Sequence, residues 1–242
     1  MKNPIQCAKN LAALVKKIGK VDPPAFPDAD DPVAVLVQSL LLWQSTTTRA
    51  IDAYGRIRAQ VYDFNELRVG LPYETAELLG TDDPHHDRRA RTIRQVLHAV
   101  YEHEHDVSLD RLKALGKRDV RKYVEGLDGI PPYVAARLML VSFGVHAMPV
   151  DEPLLDALVA AGAADADSAI DDYAGWLSRQ IKSSAGVATH HALQAHVDAI
   201  AARPATTRRK KKTAGKKSGT KKTTRKKTSG KKKTSRTSAA KS

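Results

Sequence analysis

Residues 127–153 read LDGIPPYVAARLMLVSFGVHAMPVDEP. The turn and helix-start residues of this stretch predict the end of one helix, a short hairpin and a second helix. Gly129 permits a tight turn, and Pro131 and Pro132 suit the first positions of the helix YVAARLMLVSFG. Asp151 stands before a third helix, where its side chain can cap free backbone amides or act as a catalytic carboxylate. The residues alone leave both interpretations open, and the two roles can coexist.

The rest of the body follows a helical pattern. Apolar residues recur at three- and four-residue spacing, and alternating strand-like runs are missing, so we predict an all-α fold with about ten to twelve helices. Gly19 ends the first helix, while Asp31 and Pro32 are N-cap and first residue of the second. A long helix is predicted after Pro84 and a shorter one after an N-cap at Ser108. The last three are predicted over 152–161, 168–183 and 189–202.

Charge divides the chain of 242 residues into two parts. Of its 40 Lys and Arg residues, 18 lie in 203–242, where no Asp or Glu occurs, so residues 1–202 carry 22 basic against 27 acidic residues. A body of this size can bury one large core or two small lobes that share a cleft. We therefore predict a helical domain over 1–202 and a separate basic tail over 203–242.

The tail has almost nothing apolar to bury, which predicts disorder. Basic clusters separated by small residues repeat along it, and nucleic acid phosphate is the favoured partner of such a polycation. A solubilising tail or a ligand for an acidic protein is the alternative. Binding to DNA through the tail would read no base sequence. The first cluster consists of Arg208, Arg209, Lys210, Lys211 and Lys212.

Composition also restricts cofactors and location. The single cysteine, Cys7, excludes an intramolecular disulfide and any four-cysteine metal or iron–sulfur site. The histidines form no HExxH motif, so we expect neither a metal nor a cofactor. No apolar run reaches the roughly 18–20 residues that cross a bilayer. We expect a monomer in the cytoplasm, associated with the nucleoid or other DNA, with no membrane partner.

Two blocks of the sequence resemble the signatures of the endonuclease III-like helix-hairpin-helix DNA glycosylases. DPVAVLVQSLLLWQSTTTRA resembles the first signature, a buried apolar helix that ends in Gln before small hydroxylated residues. LDGIPPYVAARLMLVSFG…PVDEPLLDAL resembles the second, which holds the hairpin, its following helix and an essential aspartate. The pair His190 and His191 in a late helix also matches, so the resemblance covers residues 28–202. It implies two helical lobes that bind double-stranded DNA and flip out a damaged or mispaired base.

The resemblance also implies a role for three residues. Asp151 maps to the catalytic carboxylate, Gln44 to the residue that fills the gap left by the flipped base, and Tyr133 to the position where bifunctional members keep a nucleophilic lysine. A carboxylate near the sugar suffices for N-glycosidic hydrolysis. Tyrosine cannot form the Schiff base through which lysine cleaves the strand. The resemblance therefore implies a monofunctional glycosylase, and members with tyrosine here remove mispaired thymine or uracil.

The hairpin departs from the family pattern. The family sequence is usually Gly-apolar-Gly, whose backbone amides bind a DNA phosphate, whereas this chain has Gly129-Ile130-Pro131-Pro132. Proline has no N–H, so two potential donors are lost. The basic tail can replace the lost affinity but not the positioning of the duplex. The family's four-cysteine iron–sulfur loop is missing as well, as it is in some members.

Each candidate residue also has a purely structural interpretation. Gln44 can be a polar helix end, Tyr133 a packed amphipathic residue, and Trp43 either a base-stacking side chain or part of the core. A basic run on the long helix is either a solvated face or, if it borders the cleft, a phosphate contact. The run consists of Arg88, Arg89, Arg91 and Arg94.

Two functional hypotheses follow from the sequence. The first is a monofunctional base-excision DNA glycosylase tethered to DNA by its tail. The second is a non-catalytic DNA-binding or nucleoid-associated protein that retains the same fold. Asp151 discriminates between them, because asparagine is a good N-cap of nearly the same shape but cannot act as a catalytic carboxylate.

Overall fold

The computed structural model describes residues 3–203, and Met1–Ala202 forms one compact unit. The predicted disorder of the tail and the cluster at 208–212 lie outside the described residues. Within 3–203 the chain forms eleven α-helices and two short 3-10 helices, and no β-strand. The α-helices are α1 Pro4–Ile18, α2 Pro32–Leu42, α3 Thr47–Gln60, α4 Phe64–Val69, α5 Pro72–Leu79, α6 His86–Glu104, α7 Lys117–Glu125, α8 Pro132–Ser142, α9 Glu152–Ala160, α10 Ile170–Gln180 and α11 Gly186–Ala201, and the 3-10 helices are Asp110–Ala114 and Ser183–Ala185.

Helix α2 forms the centre of the body. Asp31 caps it by accepting a hydrogen bond from the Val33 amide at 2.8 Å, and Pro32 occupies the first helical position, as predicted. All eleven residues of α2 are buried, which is why its sequence is apolar on every side rather than on one face. It packs against α3, α6 and α8.

The core is divided into two hydrophobic clusters, which define two lobes. The large lobe, α2–α8, is built around residues such as Leu36, Leu97 and Leu138. The small lobe, α1 with α9–α11, is built around residues such as Leu158. Helix α8 joins them, because Leu138 belongs to the first cluster and Leu140 to the second. The prediction of an all-α, two-lobed fold is confirmed.

Three predicted helices differ from the structure. The segment after Ser108 is a 3-10 helix whose N-cap is Leu109, although the Ser108 hydroxyl accepts from the Asp110 amide at 3.3 Å. Leu109, Leu112 and Leu115 all contact the core, and a spacing of three suits the three-residue turn of a 3-10 helix.

Helix α10 is shorter than the predicted 168–183. Its N-cap is Ala169, and two acidic residues, Asp171 and Asp172, lie in its first turn, where they complement the positive end of the helix dipole. Helix α11 begins at Gly186, three residues before the predicted start. Within 3–203 no helix combines the length and apolarity that a membrane span requires.

Candidate active site

Asp151 lies where the two lobes meet. It is the N-cap of α9, and its Oδ1 accepts a hydrogen bond from the Leu154 amide at 3.1 Å. Its Oδ2 accepts from the backbone N–H of Gln44, in the turn after α2, at 2.9 Å. The residue is 5% exposed, and this burial raises the pKa of its carboxyl to about 6 despite the two amide donors. Asp151 is therefore a helix cap with a raised pKa, and perturbed carboxylates of this kind are candidates for functional sites.

Gln44 contacts both lobes. It has a φ of 55°, in the left-handed region that L residues seldom adopt, so the turn between α2 and α3 is constrained. Its side-chain Oε1 accepts a hydrogen bond from Arg88 of α6, and its Nε2 donates to Glu152 of α9. The structure thus places Gln44 next to Asp151 and holds its carboxamide between the large and small lobes.

Arg89 fixes the same turn from within the core. It is 2% exposed, and its Nη1 donates to the carbonyl of Leu40 and, at 2.8 Å, to that of Trp43. These carbonyls lie in the last turn of α2, where helical acceptors lack intrahelical partners. Its Nε donates to Asp83 Oδ2 at 2.6 Å. The buried arginine therefore caps α2 immediately before Gln44.

Trp43 is partly buried and packs against the core of the large lobe. The guanidinium of Arg88 lies 4.7 Å from the centre of its ring. Arg88 thus covers the ring of Trp43 and also donates a hydrogen bond to the side chain of Gln44. Stacking of Trp43 on a base would require Arg88 to move from this ring.

The hairpin turn is covered by a side chain from α6. Gly129 has a φ of 74°, and a Cβ there would overlap the side-chain carboxamide of Gln95. The backbone conformation therefore favours glycine, and a larger residue would also displace the Gln95 carboxamide. The Gln95 Nε2 donates to Asp128 Oδ2 at 2.8 Å, which fixes the carboxamide against the turn.

The hairpin offers few backbone donors. Helix α8 begins at Pro132 with Pro131 as N-cap, and neither residue has an N–H. The Ile130 N–H is used within the turn, where it donates to the Leu127 carbonyl at 3.3 Å. The first amide donor of α8 is that of Tyr133, and no side chain caps this helix. The turn therefore has fewer amides for a phosphate than a Gly-apolar-Gly hairpin.

The Tyr133 side chain points into the protein. It is 2% exposed, and its hydroxyl donates to Gln194 Oε1 of α11 at 3.4 Å. Burial, followed by the nearby charge of Asp151, raises the pKa of the phenol above its ordinary value. Tyr133 is therefore a neutral phenol behind the site.

Two further buried polar residues lie beside Tyr133. Arg137 is 2% exposed, donates to Ser39 Oγ at 2.8 Å, and forms no ion pair among residues 3–203. The ring of His190 lies 6.3 Å from that of Tyr133, and its Nε2 has no hydrogen-bond partner in the described part of the chain. Burial lowers the pKa of His190 well below its ordinary value, and burial with the charge of Arg137 lowers that of His191 to about 4. Both imidazoles are neutral at physiological pH.

A cavity of about 100 Å³ opens beside this cluster, between the start of α3, α11 and the connector before α2. The Gln194 side chain is in its wall and donates to Asp198 Oδ1 at 3.2 Å, and Asp198 in turn accepts from the Thr47 amide at 3.1 Å. Tyr133 does not line the cavity itself but contacts Gln194 and His190, which do. The other lining residues are Val21, Asp22, Pro24, Leu42, His190, His191 and Ala195.

Sequence reasoning missed Arg89, Asp83 and Glu152 as members of the site. The signal for Arg89 was present, because Arg89, Ile93 and Val96 share the spacing of the apolar face of α6. Because Arg89 lies on the apolar face of α6, it is buried, unlike the exposed arginines of the predicted basic run. The contact of Glu152 with Gln44 has no local signal, because it spans 108 positions. No group of three His, Cys, Asp or Glu residues within 3–203 could hold a metal ion.

Comparison with solved structures identifies the architecture. A non-covalent endonuclease III–DNA complex matches with a TM-score of 0.59 and 17% identity, over 78% of this chain and 83% of that chain. The H. pylori 3-methyladenine DNA glycosylase MagIII, bound to 1,N6-ethenoadenine, matches with a TM-score of 0.59 and 12% identity, over 82% and 99%. A thermostable thymine-DNA glycosylase matches with a TM-score of 0.55 and 16% identity, over 84% and 89%.

These identities are low, so the matches establish the fold. No protein-family model matches the sequence, and no curated protein matches it. The chain has the two-lobed, all-α fold of the helix-hairpin-helix DNA glycosylases, which the resemblance in two short sequence blocks had implied.

Proposed function

We propose that this protein is a monofunctional DNA glycosylase, which flips a base out of double-stranded DNA and hydrolyses its N-glycosidic bond without cutting the strand. The observation that carries the proposal is the buried carboxylate of Asp151, hydrogen-bonded to the backbone of Gln44 at the junction of the lobes. The fold supports it, because the matched structures include DNA glycosylases. Gln44 would fill the space that the flipped base leaves in the duplex.

Asp151 would stabilise the positive charge that develops on the sugar as the bond to the base breaks, or activate water against it. With a pKa of about 6 the carboxyl is mainly ionised at neutral pH. Its burial lowers the local dielectric, so its charge acts on the sugar more strongly than it would in water. Each carboxylate oxygen keeps acceptor capacity beyond the amide it already binds.

The residues present favour hydrolysis over strand cleavage. A lyase step needs an amine that attacks the sugar to form a Schiff base. The stretch 127–153 contains no lysine, and Tyr133 stands at the position that the resemblance assigns to this group. Tyr133 is buried and its pKa is raised, so the phenol stays protonated and is a poor nucleophile.

The cavity beside Gln194, of about 100 Å³, is a candidate for part of the flipped-base site only, because Asp151 does not line it and ligand pockets are usually larger. It joins the turn after Gln44 to α11, and its wall combines apolar side chains with the polar groups of Gln194 and His190. Such a mixture of apolar and polar groups suits a planar ligand with hydrogen-bonding edges. The matched glycosylases are named for different bases, thymine in one and 3-methyladenine in another, so the base has to be found by experiment.

The basic tail would add affinity without selecting a sequence. Its 18 positive residues favour any phosphate backbone, with binding that weakens as salt rises. We propose a monomer that is held on chromosomal DNA by the tail and acts without a cofactor. A chain shortened after Ala202 should then bind DNA more weakly and with a smaller dependence on salt. It should still release the base when the protein is saturating.

The test is a panel of duplexes that carry T:G, U:G, alkylated and oxidised bases. The full chain should yield strand breaks only after hot alkali reveals abasic sites, and borohydride should trap no covalent adduct. Breaks without alkali, or a trapped adduct, would contradict the monofunctional mechanism.

One observation favours the alternative, a non-catalytic DNA-binding protein. Both oxygens of Asp151 accept backbone hydrogen bonds and the residue is 5% exposed, as a purely structural cap would be. That reading predicts salt-sensitive DNA binding and no base release from any duplex of the panel. It also predicts that Asp151→Asn leaves every DNA-binding property unchanged.

A further inference from the structure

Helix α6 connects Gln44 to the hairpin along its exposed face. At one end Arg88 donates to the side chain of Gln44. Seven residues later Gln95 donates to Asp128 at 2.8 Å and covers Gly129. Two helical turns separate these ends by about 10 Å, close to the axial rise of three nucleotides of a DNA strand.

Arg91 lies between the two ends on the same face. It is three residues after Arg88 and four before Gln95, and residues at these spacings are neighbours on a helix surface. It is exposed, and its guanidinium forms no ion pair or hydrogen bond among residues 3–203. By contrast, Arg88 binds Gln44 and Arg89 binds Asp83. Within residues 3–203, Arg91 is therefore an unpaired cation that lies between Gln44 and the hairpin.

The hairpin itself is poorly suited to hold a phosphate. Pro131 and Pro132 have no N–H, and the Ile130 N–H is used within the turn. The Asp128 carboxylate adds a negative charge beside Gly129, held there by Gln95. Backbone phosphates need a positive or hydrogen-bonding group in this region if the duplex is to be held in register.

We propose that Arg91 binds a DNA backbone phosphate and thereby adds to the positioning of the duplex, for which the proline-containing hairpin has fewer amide donors. This inference rests on the proposed function only in requiring that DNA lies across Gln44 and the hairpin. The planar guanidinium of Arg91 can bind phosphate oxygens through two parallel hydrogen bonds. Gln95 assists, because one hydrogen of its amide binds Asp128 and the other remains available to a neighbouring phosphate oxygen.

Arg94 provides a matched control on the same helix. It is also exposed, but it lies about 100° round the helix axis from Gln95. It shares its flank with Tyr101, seven residues on, whose ring is covered by Arg68 of α4 at 3.8 Å. Arg94→Gln therefore removes the same charge about 100° round the helix from Gln95 and about 120° from Arg88, on the flank of α6 that carries Tyr101, three residues after Arg91.

The experiment measures binding of the full chain to a duplex that carries a tetrahydrofuran abasic analogue. Single neutral methylphosphonates replace the phosphates one at a time within several nucleotides of the analogue, on each strand. The basic tail binds phosphates without a fixed register, so it should not make binding depend on any single phosphate. We expect one linkage at which the methylphosphonate weakens wild-type binding about tenfold, as the loss of a charged hydrogen bond does.

Arg91→Gln should bind the unmodified duplex about tenfold more weakly than wild type. The methylphosphonate at the sensitive linkage should then weaken binding of this variant by less than a further twofold. Arg94→Gln should keep the wild-type profile. The proposal is overturned if Arg91→Gln retains every wild-type effect, if Arg94→Gln changes the profile equally, or if the wild-type profile is flat. Base release is scored separately, so a protein that shows this coupling but releases no base would refute the glycosylase mechanism and leave the phosphate contact standing.

Discussion

The carboxylate of Asp151 accepts a hydrogen bond from the backbone N–H of Gln44 at 2.9 Å, which joins two residues 107 positions apart. The same side chain caps α9 through the Leu154 amide. Capping of α9 and the contact with Gln44 are therefore properties of one side-chain conformation. The bond also means that a movement of the Gln44 turn towards DNA would change the surroundings of Asp151.

The rate of base release should depend on pH through Asp151. Only the ionised carboxylate stabilises a positive sugar, and the pKa of this group is about 6. We expect kcat/KM to rise with pH through about 6 and to level off above it. The measurement is base release from pH 5 to 8, with binding of the abasic duplex followed over the same range to separate binding from chemistry. A rate that is constant between pH 5 and 7 would contradict this role.

Asp151 should also make folding stability depend on pH. Burial raises the pKa of its carboxyl from 3.8 in the unfolded chain to about 6 in the folded protein, so the folded state holds its proton more tightly. Its contribution is fully present below about pH 4 and is lost as pH rises through about 6. Urea unfolding of wild type and Asp151→Asn in the same buffers should show wild type losing up to about 3 kcal/mol relative to the variant between pH 4 and 7. A gain over that range would refute the prediction.

The left-handed backbone of Gln44 predicts an unusual order of stability. Its φ of 55° is unfavourable for any residue with a Cβ, so Gln44→Gly should be more stable than Gln44→Ala by about 1 kcal/mol. Both variants lose the contacts with Arg88 and Glu152, and both should fail to hold a base extruded, measured as reduced 2-aminopurine fluorescence at the target. The stability of all variants is measured by thermal denaturation. Arg94, in the middle of α6, is the control position, because Arg94→Ala should be more stable than Arg94→Gly by about 1 kcal/mol. The same order at both positions would argue against strain at Gln44.

The pair of Arg89 and Asp83 should be strongly coupled in stability. Both residues are buried, and their side chains are 2.6 Å apart. Burial alone would raise the pKa of Asp83, but the hydrogen bond and charge of Arg89 outweigh it and lower the pKa. Removing either partner leaves a buried charge unpaired, so Arg89→Met and Asp83→Asn should each cost about 3–5 kcal/mol in urea unfolding. The double variant should cost clearly less than the sum, whereas additive costs would mean that the two residues act independently.

Local features of the fold could be predicted from the sequence. The capping of α2 by Asp31 and Pro32 and the turn at Gly129 depend on adjacent residues, and the structure confirms them. The 3-10 helix after Ser108 was missed because a serine before a short apolar segment also suits an α-helix. Only the three-residue spacing of Leu109 and Leu112 distinguishes the two.

The connections within the site could not be predicted in the same way. The hydrogen bond between Asp151 and Gln44 depends on how the two lobes pack, which no local pattern encodes. Arg89 lies within a run of arginines that looks like one exposed face, yet it alone of them falls on the apolar side of α6. The spacing of α6 indicates that Arg89 is buried, but its partners, Asp83 and the carbonyls of Leu40 and Trp43, depend on packing across the fold, which only the structure supplies.

The central claim is that Asp151 performs the chemistry of base release. The direct test is the single-turnover rate of the full chain on the duplex from which the wild type releases a base, with Asp151→Asn and, as control, Asp156→Asn, an exposed carboxylate one turn further along α9. We predict that Asp151→Asn lowers the rate about 100-fold or more while it still binds the abasic duplex, and that Asp156→Asn keeps the wild-type rate. Release by Asp151→Asn at the wild-type rate, or a wild-type protein that releases no base from any duplex, would contradict the account.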